Sequence, residues 1–119
     1  SLHCPLNDET RNLIDREVMR TMKPTAILLN TARGGIVNEA DLADALRAGD
    51  IAGAGIDTLS QEPPPVNHVL LQSDIPNLIV TPHNAWASRE SRQAAVDQLT
   101  EVVKTFLAGI PINRVTPST

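Results

Sequence analysis

The sequence is poor in aromatic residues and in cysteine. Among its 119 residues there are no tyrosines, one phenylalanine, one tryptophan and a single cysteine, Cys4. A chain with so few aromatic side chains offers no platform on which nucleic-acid bases could stack. One cysteine excludes an internal disulfide framework and any zinc site built from several cysteines. The composition therefore argues against a nucleic-acid-binding module and against a disulfide-rich scaffold.

The sequence also has no excess of positive charge and no long apolar run. The net charge is −4, whereas a nucleic-acid-binding domain needs a basic face. No apolar run approaches the roughly 20 residues that a membrane-spanning helix needs. Residues 1–6 have neither the basic start nor the long apolar stretch of a signal peptide. The sequence predicts a cytoplasmic protein without nucleic acid, membrane or metal as partners. Its apolar opening without methionine predicts that further residues precede it.

Short apolar runs mark the predicted strands. Residues 26–30 are predicted to be a strand, because the apolar run 26–29 leads to Asn30 and two glycines follow at 34 and 35. Such a run is typical of a strand buried on both faces of a parallel sheet. Residues 51–57 and 78–80 are predicted to be two further strands, and residues 1–4 the end of another. Residues 53–55 begin like a dinucleotide-binding glycine motif. They belong to a strand rather than to a strand-to-helix turn, and Thr58 replaces the third glycine, so we reject that assignment.

Segments with helical periodicity separate these runs. Asp15 and Asn38 are suited to begin two helices, and Gly49 is suited to end the second. A last helix is predicted over residues 88–107, where apolar side chains recur on one face. Strands that alternate with helices indicate an α/β fold with a parallel sheet and right-handed crossovers. In such sheets ligands bind beyond the carboxyl ends of the strands.

Three polar residues follow the three predicted strands. Arg33 comes after the first, Glu62 lies in the loop after the second, and His83 follows the third. We expect them to face one crevice, because the carboxyl ends of parallel strands meet at one edge of a sheet. A guanidinium binds a carboxylate or a polarised carbonyl oxygen, a histidine transfers protons near neutral pH, and a carboxylate beside it stabilises the imidazolium. Together they suit a substrate with both a carboxylate and a carbonyl.

Each of these residues also has a purely structural interpretation. Arg33 stands before two glycines and could cap a strand turn, and Glu62 in a proline-rich loop could simply be solvated. Asp57, at the end of a strand, is either a loop cap or an acceptor for a ligand amide. His68, in a long polar loop, is expected to be solvated. The coincidence of three functional groups at one sheet edge favours a catalytic site.

Four segments stand in order and at appropriate spacing: His3-Cys4-Pro5-Leu6 with Glu9-Thr10, Leu29-Asn30-Thr31-Ala32-Arg33-Gly34-Gly35-Ile36-Val37, Asp57 through Glu62-Pro63, and Thr81-Pro82-His83. Together they resemble the D-isomer-specific 2-hydroxyacid dehydrogenases. A further stretch consists of Asn77-Leu78-Ile79-Val80-Thr81-Pro82-His83, Ala85-Trp86 and Ser88-Arg89-Glu90. Within the family it is most similar to the glycerate dehydrogenases, also called hydroxypyruvate reductases.

The resemblance implies a role for each matching residue. Arg33 would bind the substrate carboxylate and carbonyl, His83 would be the general acid in reduction and the base in oxidation, and Glu62 would pair with His83. Asn84 departs from the apolar residue that commonly follows the histidine in the family, which bears on substrate preference. The residues implied at the cofactor are Cys4, Pro5, Thr10, Thr31, Ala32, Arg33, Asp57 and His83.

The resemblance also implies the architecture. Residues 1–119 would be the second half of the NAD-binding domain, a partial Rossmann-like (doubly wound) parallel sheet, with the return segment toward the substrate domain. The glycine fingerprint and the substrate domain are absent from these residues. The implied cofactor is NAD or NADP, the substrates are small 2-oxoacids and 2-hydroxyacids, and the full-length protein would be a homodimer. We expect the 119 residues by themselves to be inactive.

Other members of this fold family remain as alternatives. A phosphoglycerate dehydrogenase or another 2-ketoacid reductase is the nearest rival. A formate dehydrogenase fits less well, because that relative carries glutamine where Glu62 stands. The non-enzymatic alternative is an NAD-responsive binding module of the corepressor type.

Overall fold

The computed structural model describes residues 1–115. The chain divides into two compact units, Ser1–Ala85 and a second that begins at Trp86. The first unit contains a parallel sheet with two helices. The second contains one long helix.

The sheet has three parallel strands in the order β1-β2-β3, which are Ile27–Asn30, Gly53–Ile56 and Leu78–Val80. Ile56 lies opposite Asn30 in β1 and opposite Val80 in β3. The three carboxyl ends are therefore level with one another. This confirms the predicted α/β class and the predicted parallel sheet, and it means that the three following loops leave from one edge.

Side-chain caps define the helices of the first unit. Helix α1 (Arg16–Thr21) begins at Asp15, whose carboxylate accepts from the Val18 amide, and α2 (Glu39–Ala48) begins at Asn38. Gly49 ends α2 in the left-handed conformation, with φ of 73°. These are the capping roles that the sequence predicts. A short 3₁₀ helix, Val69–Leu71, precedes β3.

The core lies on one face of the sheet. Met19 of α1 and Leu42 of α2 are fully buried and belong to the same apolar cluster as Leu28 and Ile56. On the opposite face of β1, by contrast, Ile27 is 66% exposed. The prediction that β1 is buried on both faces is therefore wrong. Within Ser1–Ala85, successive side chains of the strand alternate between a covered and an exposed face.

The first residues contribute one bridge to the sheet. The Leu2 amide donates to the Leu29 carbonyl, and Leu2 pairs in parallel with Asn30. This fits the expectation that residues 1–4 are the end of a strand, and the structure places it beside β1. The chain then continues past the carboxyl edge of the sheet, so the residues after Leu2 lie beside the loop that follows β1.

The second unit contains helix α3 (Arg89–Leu107), which Ser88 caps through the Ser91 amide. Gly109 follows the helix with φ of 77°. The predicted bounds are thus confirmed to within one residue. Among the described residues, no helix combines the length and apolar character needed to cross a membrane.

Candidate active site

Glu62 and His83 form a hydrogen-bonded pair at the carboxyl edge of the sheet. The His83 Nδ1 lies 2.8 Å from the Glu62 Oε2, and both side chains are partly exposed. The other Glu62 oxygen, Oε1, accepts from the Leu59 amide at 2.9 Å. The bond with His83 and then that from Leu59 lower the pKa of Glu62 below its ordinary value, against a smaller opposing effect of desolvation. Glu62 is therefore an anion at neutral pH.

An anionic Glu62 fixes which ring nitrogen of His83 carries a proton. A carboxylate accepts but does not donate, so His83 Nδ1 is the protonated nitrogen in this pair. The second nitrogen, Nε2, is then the atom that gains or loses a proton. This arrangement can transfer a proton to a ligand oxygen near neutral pH.

His83 adopts a backbone conformation that is uncommon for a residue other than glycine. Its φ is 52°, in the left-handed region. The His83 amide donates to the Asp57 carbonyl at 2.9 Å and also to the Thr81 carbonyl at 3.0 Å. Such conformations cluster at functional sites, where surrounding contacts maintain them. The end of β2 thus sets the direction in which His83 leaves the sheet.

The Asp57 carboxylate anchors the loop that carries His83. One oxygen accepts from the Thr81 hydroxyl and the Asn84 amide, and the other accepts from the Ala85 amide at 2.8 Å. Burial alone would raise the pKa of Asp57, but these three hydrogen bonds outweigh it and lower that pKa below its ordinary value. Of the two interpretations open from the sequence, the structure thus shows the loop cap.

Replacing Asp57 by asparagine is expected to destabilise the full-length protein by about 1–3 kcal/mol near neutral pH, because one donor is left facing an NH₂ group. Because the pKa of Asp57 is lower in the folded state than its unfolded value of about 4, the ionised carboxylate stabilises the fold above that pH. This stabilisation is lost as the pH falls through the pKa of the folded state. Urea unfolding at about pH 7 and about pH 3 should therefore show a smaller acid-side decline in D57N.

The matched control is D8N, since Asp8 is an exposed aspartate on another loop. It should leave both the free energy of unfolding and its pH dependence close to wild type. A D57N protein that is as stable as wild type at neutral pH would contradict the anchoring role.

Arg33 lies on the loop after β1. The buried Asn30 side chain shapes this turn, since its amide donates to the Arg33 carbonyl and its oxygen accepts from the Ala32 amide. A Cβ on Gly34 would lie 2.0 Å from the Leu59 carbonyl oxygen. The backbone of the Arg33 loop therefore packs directly on the segment from which the Leu59 amide donates to Glu62.

The structure places Arg33 and the Glu62–His83 pair in two separate depressions. Glu62 and His83 line one of about 370 Å³ whose other walls are mainly apolar. Arg33 lines another of about 610 Å³, and its guanidinium donates to the Ala32 carbonyl at 2.8 Å. The predicted common edge is thus observed, whereas a single crevice shared by all three side chains is not.

Five of the residues expected at the cofactor line the depression that contains Arg33. They are Cys4, Pro5, Thr31, Ala32 and Arg33 itself. Thr10 lies behind this wall, where its hydroxyl donates to the Pro5 carbonyl at 2.7 Å. Thr10 therefore orders the loop that contributes Pro5. No group of three His, Cys, Asp or Glu side chains suited to a metal ion occurs within residues 1–115.

The expectation that His68 is solvated is wrong. His68 is 8% exposed, its Nδ1 accepts from the Leu70 amide, and its Nε2 lies 3.2 Å from Glu39. Glu39 also accepts from the amide and hydroxyl of Ser60, each at 2.6 Å. The apolar residues after His68, of which Leu70 is buried, were the signal that this loop returns to the core.

Comparisons with known proteins identify the family of the chain. Residues 1–85 match the family model described as D-isomer specific 2-hydroxyacid dehydrogenase, NAD binding domain. The chain is 53% identical over 113 residues to a glycerate dehydrogenase from Methylorubrum extorquens, covering 95% of the chain and 36% of that protein. It is 42% identical over 113 residues to a hydroxypyruvate reductase from Blautia hydrogenotrophica, covering 95% and 34%. The chain thus spans about a third of the length of these relatives.

The fold of the chain is also similar to that of a solved dehydrogenase structure. The D-lactate dehydrogenase from Lactobacillus jensenii, determined with NAD⁺, superposes with a TM-score of 0.80 at 33% identity. The match covers 98% of this chain and 38% of that one. The matched residues 1–85 contain the three strand ends, the Arg33 loop, and both Glu62 and His83. This chain belongs to the D-isomer specific 2-hydroxyacid dehydrogenase family, whose NAD-binding domain its residues 1–85 match.

Proposed function

We propose that the full-length protein containing this chain is an NAD(P)-dependent dehydrogenase that reduces hydroxypyruvate to D-glycerate and glyoxylate to glycolate. The observation that carries the proposal is the 2.8 Å hydrogen bond between Glu62 and His83 at the carboxyl edge of the sheet. The substrate class is supported by relatives named glycerate dehydrogenase and hydroxypyruvate reductase.

In this proposal His83 is the proton donor for reduction. Glu62 accepts from Nδ1 and stabilises the positive charge on the ring, so Nε2 presents a proton to the substrate carbonyl oxygen. In oxidation the neutral Nε2 takes the hydroxyl proton back. The backbone of His83, left-handed and bonded to the Asp57 carbonyl, holds the residue that carries the ring in place.

Arg33 binds the anionic end of the substrate in this scheme. A guanidinium is always charged and offers a planar pair of donors that matches a carboxylate. The Ala32 carbonyl occupies one donor, and the remaining N–H groups are available for a carboxylate and the adjacent carbonyl oxygen. The substrate would extend across both depressions, with its carboxylate at Arg33 and its reacting oxygen at His83.

The depression beside Arg33 suits a nicotinamide dinucleotide. It lies beyond β1, where such sheets bind ligands, and the side chains of Thr31 and Ala32 are small enough to leave its floor open. Cys4 and Pro5 form the facing wall. When bound, the cofactor, NAD or NADP, supplies or accepts the hydride. An ionised carboxylate has about four acceptor positions, so Asp57 can accept a carboxamide N–H besides its three loop bonds.

We further propose how this chain fits into the whole enzyme. Its residues form the second half of the NAD-binding domain and the return segment toward a substrate domain. The first half, with a glycine fingerprint for the pyrophosphate, lies outside these 119 residues. The full-length protein is then a cytoplasmic homodimer, and the 119 residues by themselves do not turn over.

The test is NADH or NADPH oxidation by the full-length protein with four acids: hydroxypyruvate, glyoxylate, phosphohydroxypyruvate and pyruvate. We expect the highest kcat/KM with hydroxypyruvate or glyoxylate, and no turnover from the isolated 119 residues. A preference for the phosphorylated acid would replace the proposed substrate by that of a phosphoglycerate dehydrogenase. The absence of turnover with all four would contradict the enzymatic proposal.

A further inference from the structure

Glu39 connects the two ends of the loop that carries Glu62. At one end, the Ser60 amide and hydroxyl donate to the two Glu39 carboxylate oxygens, each at 2.6 Å. At the other end, His68 Nε2 lies 3.2 Å from Glu39 Oε2. Segment 61–67, which includes Glu62 and three consecutive prolines, lies between these two contacts.

The Glu39 carboxylate sits in a protected and favourable position. Its side chain is 13% exposed and that of His68 is 8% exposed, so water competes little for their contact. Glu39 also lies in the first turn of α2, where the helix dipole stabilises a negative charge. Since His68 Nδ1 accepts from the Leu70 amide, its Nε2 carries the proton and donates to Glu39. The Ser60 amide, the Ser60 hydroxyl and His68 Nε2 thus all donate to one carboxylate.

The anchored end of the loop leads directly to the Glu62–His83 pair. Ser60 follows Leu59, and the Leu59 amide donates to Glu62 Oε1. The remaining oxygen of Glu62 then contacts His83 Nδ1. A shift of the 59–60 backbone would therefore alter the direction in which the Glu62 carboxylate faces His83. No other side-chain oxygen within the described residues accepts from the Ser60 amide.

We propose that Glu39 is a positioning residue for the Glu62–His83 pair. By binding both ends of the loop, it fixes the Leu59–Ser60 backbone and with it the orientation of the Glu62 carboxylate. It touches neither the substrate nor the cofactor, so its effect on turnover passes through Glu62. This inference rests on the proposed function for its kinetic test, but not for its spectroscopic one.

The kinetic test is a double-mutant cycle in the full-length protein. E39Q keeps the size of the side chain but replaces one acceptor oxygen by an NH₂ group that faces a donor. We expect it to lower kcat by about tenfold to a hundredfold, as small displacements of catalytic groups do, with KM little changed. In an E62Q background the same substitution should change kcat by less than about twofold, because the residue through which it acts is already altered.

One variant controls for a general effect on folding, and a second tests one of the Ser60 contacts by itself. D41N removes a charge from the same first turn of α2, but its carboxylate accepts from the Arg16 amide and does not contact the loop. It should leave kcat near wild type. S60A deletes one of the two Ser60 bonds and keeps the other, so it should lower kcat in the same direction and less than E39Q does. An equal loss in D41N and E39Q, or the same E39Q effect in both backgrounds, would overturn the proposal.

The spectroscopic test uses the ring nitrogens of His83 in full-length protein labelled with ¹⁵N-histidine. Wild type and D41N should show a protonated Nδ1, and both E62Q and E39Q should lose that preference. The His83 signal is assigned by its absence in H83N. An unchanged signal in E39Q overturns the positioning role even if the wild type turns over. If E39Q changes the signal but the wild type has no dehydrogenase activity, the positioning role is retained and the proposed function is rejected.

Discussion

Replacing His83 by asparagine in the full-length protein is expected to lower kcat for reduction of the 2-oxoacid by about a hundredfold to ten-thousandfold. Binding of NADH should stay close to wild type. The reason is that Nδ1 is engaged by Glu62, and the proposed function assigns proton transfer to Nε2. The amide of asparagine neither donates nor accepts a proton in this way near neutral pH. The loss should therefore appear in kcat far more than in cofactor affinity.

Asparagine is the suitable substitution because His83 has φ of 52°. Asparagine tolerates the left-handed region better than most residues, so H83N separates loss of the proton donor from backbone strain. The measurements are steady-state rates and fluorescence titration with NADH, with thermal unfolding as a check on the fold. Unchanged kcat in a folded H83N protein would remove His83 from the proposed chemistry. Loss of NADH binding in parallel with kcat would assign it to the cofactor site instead.

The pH dependence of the same reaction tests the pairing with Glu62. The pKa of Glu62 is lowered chiefly by its bond with His83, so this carboxylate keeps its charge throughout the neutral range. In E62Q the protonated ring loses its anionic partner. The kcat for reduction should then be lower than in wild type across the neutral range, where the wild-type Glu62 carboxylate is charged. An E62Q protein with wild-type kcat throughout that range would argue against the pairing as the source of activity.

The placement of the site could be predicted from the sequence because it depends on local signals. A continuous apolar run followed by a polar residue identifies each strand end, and parallel strands bring such ends together. The register of Asn30, Ile56 and Val80 confirms this. Asp15 and Asn38 were predictable as caps for the same reason, since the donor that each one satisfies lies three residues away.

The features that were not predicted depend on contacts between distant segments. In the sequence, Glu39 is an ordinary acidic residue in the first turn of a predicted helix. Nothing near it in the sequence indicates that it contacts Ser60 and His68, which lie 21 and 29 positions away. The exposed face of β1 is a similar case. Apolar residues at Ile27 and Leu29 indicate a covering layer, whereas α1 and α2 pack on the other face of the sheet.

The largest effect on stability is expected from replacing Gly34 by alanine. The added Cβ would lie 2.0 Å from the Leu59 carbonyl oxygen and 2.4 Å from the Ser60 nitrogen, and both neighbours are backbone atoms. No flexible side chain can move aside to relieve these contacts. We expect a loss of about 3 kcal/mol or more in the free energy of unfolding of the full-length protein, measured in urea.

Gly49→Ala supplies the matched control, because the two glycines are required for different reasons. Gly49 has φ of 73° with nothing within 4 Å of the added atom, so alanine there should cost roughly 1–2 kcal/mol from backbone strain. It should leave turnover unchanged. The Gly34 clash can be relieved only by separating the Arg33 loop from residues 59–60, and that segment also orients Glu62. G34A should therefore lower kcat/KM as well as stability, and a G34A protein with wild-type turnover would show that this close contact does not position the site.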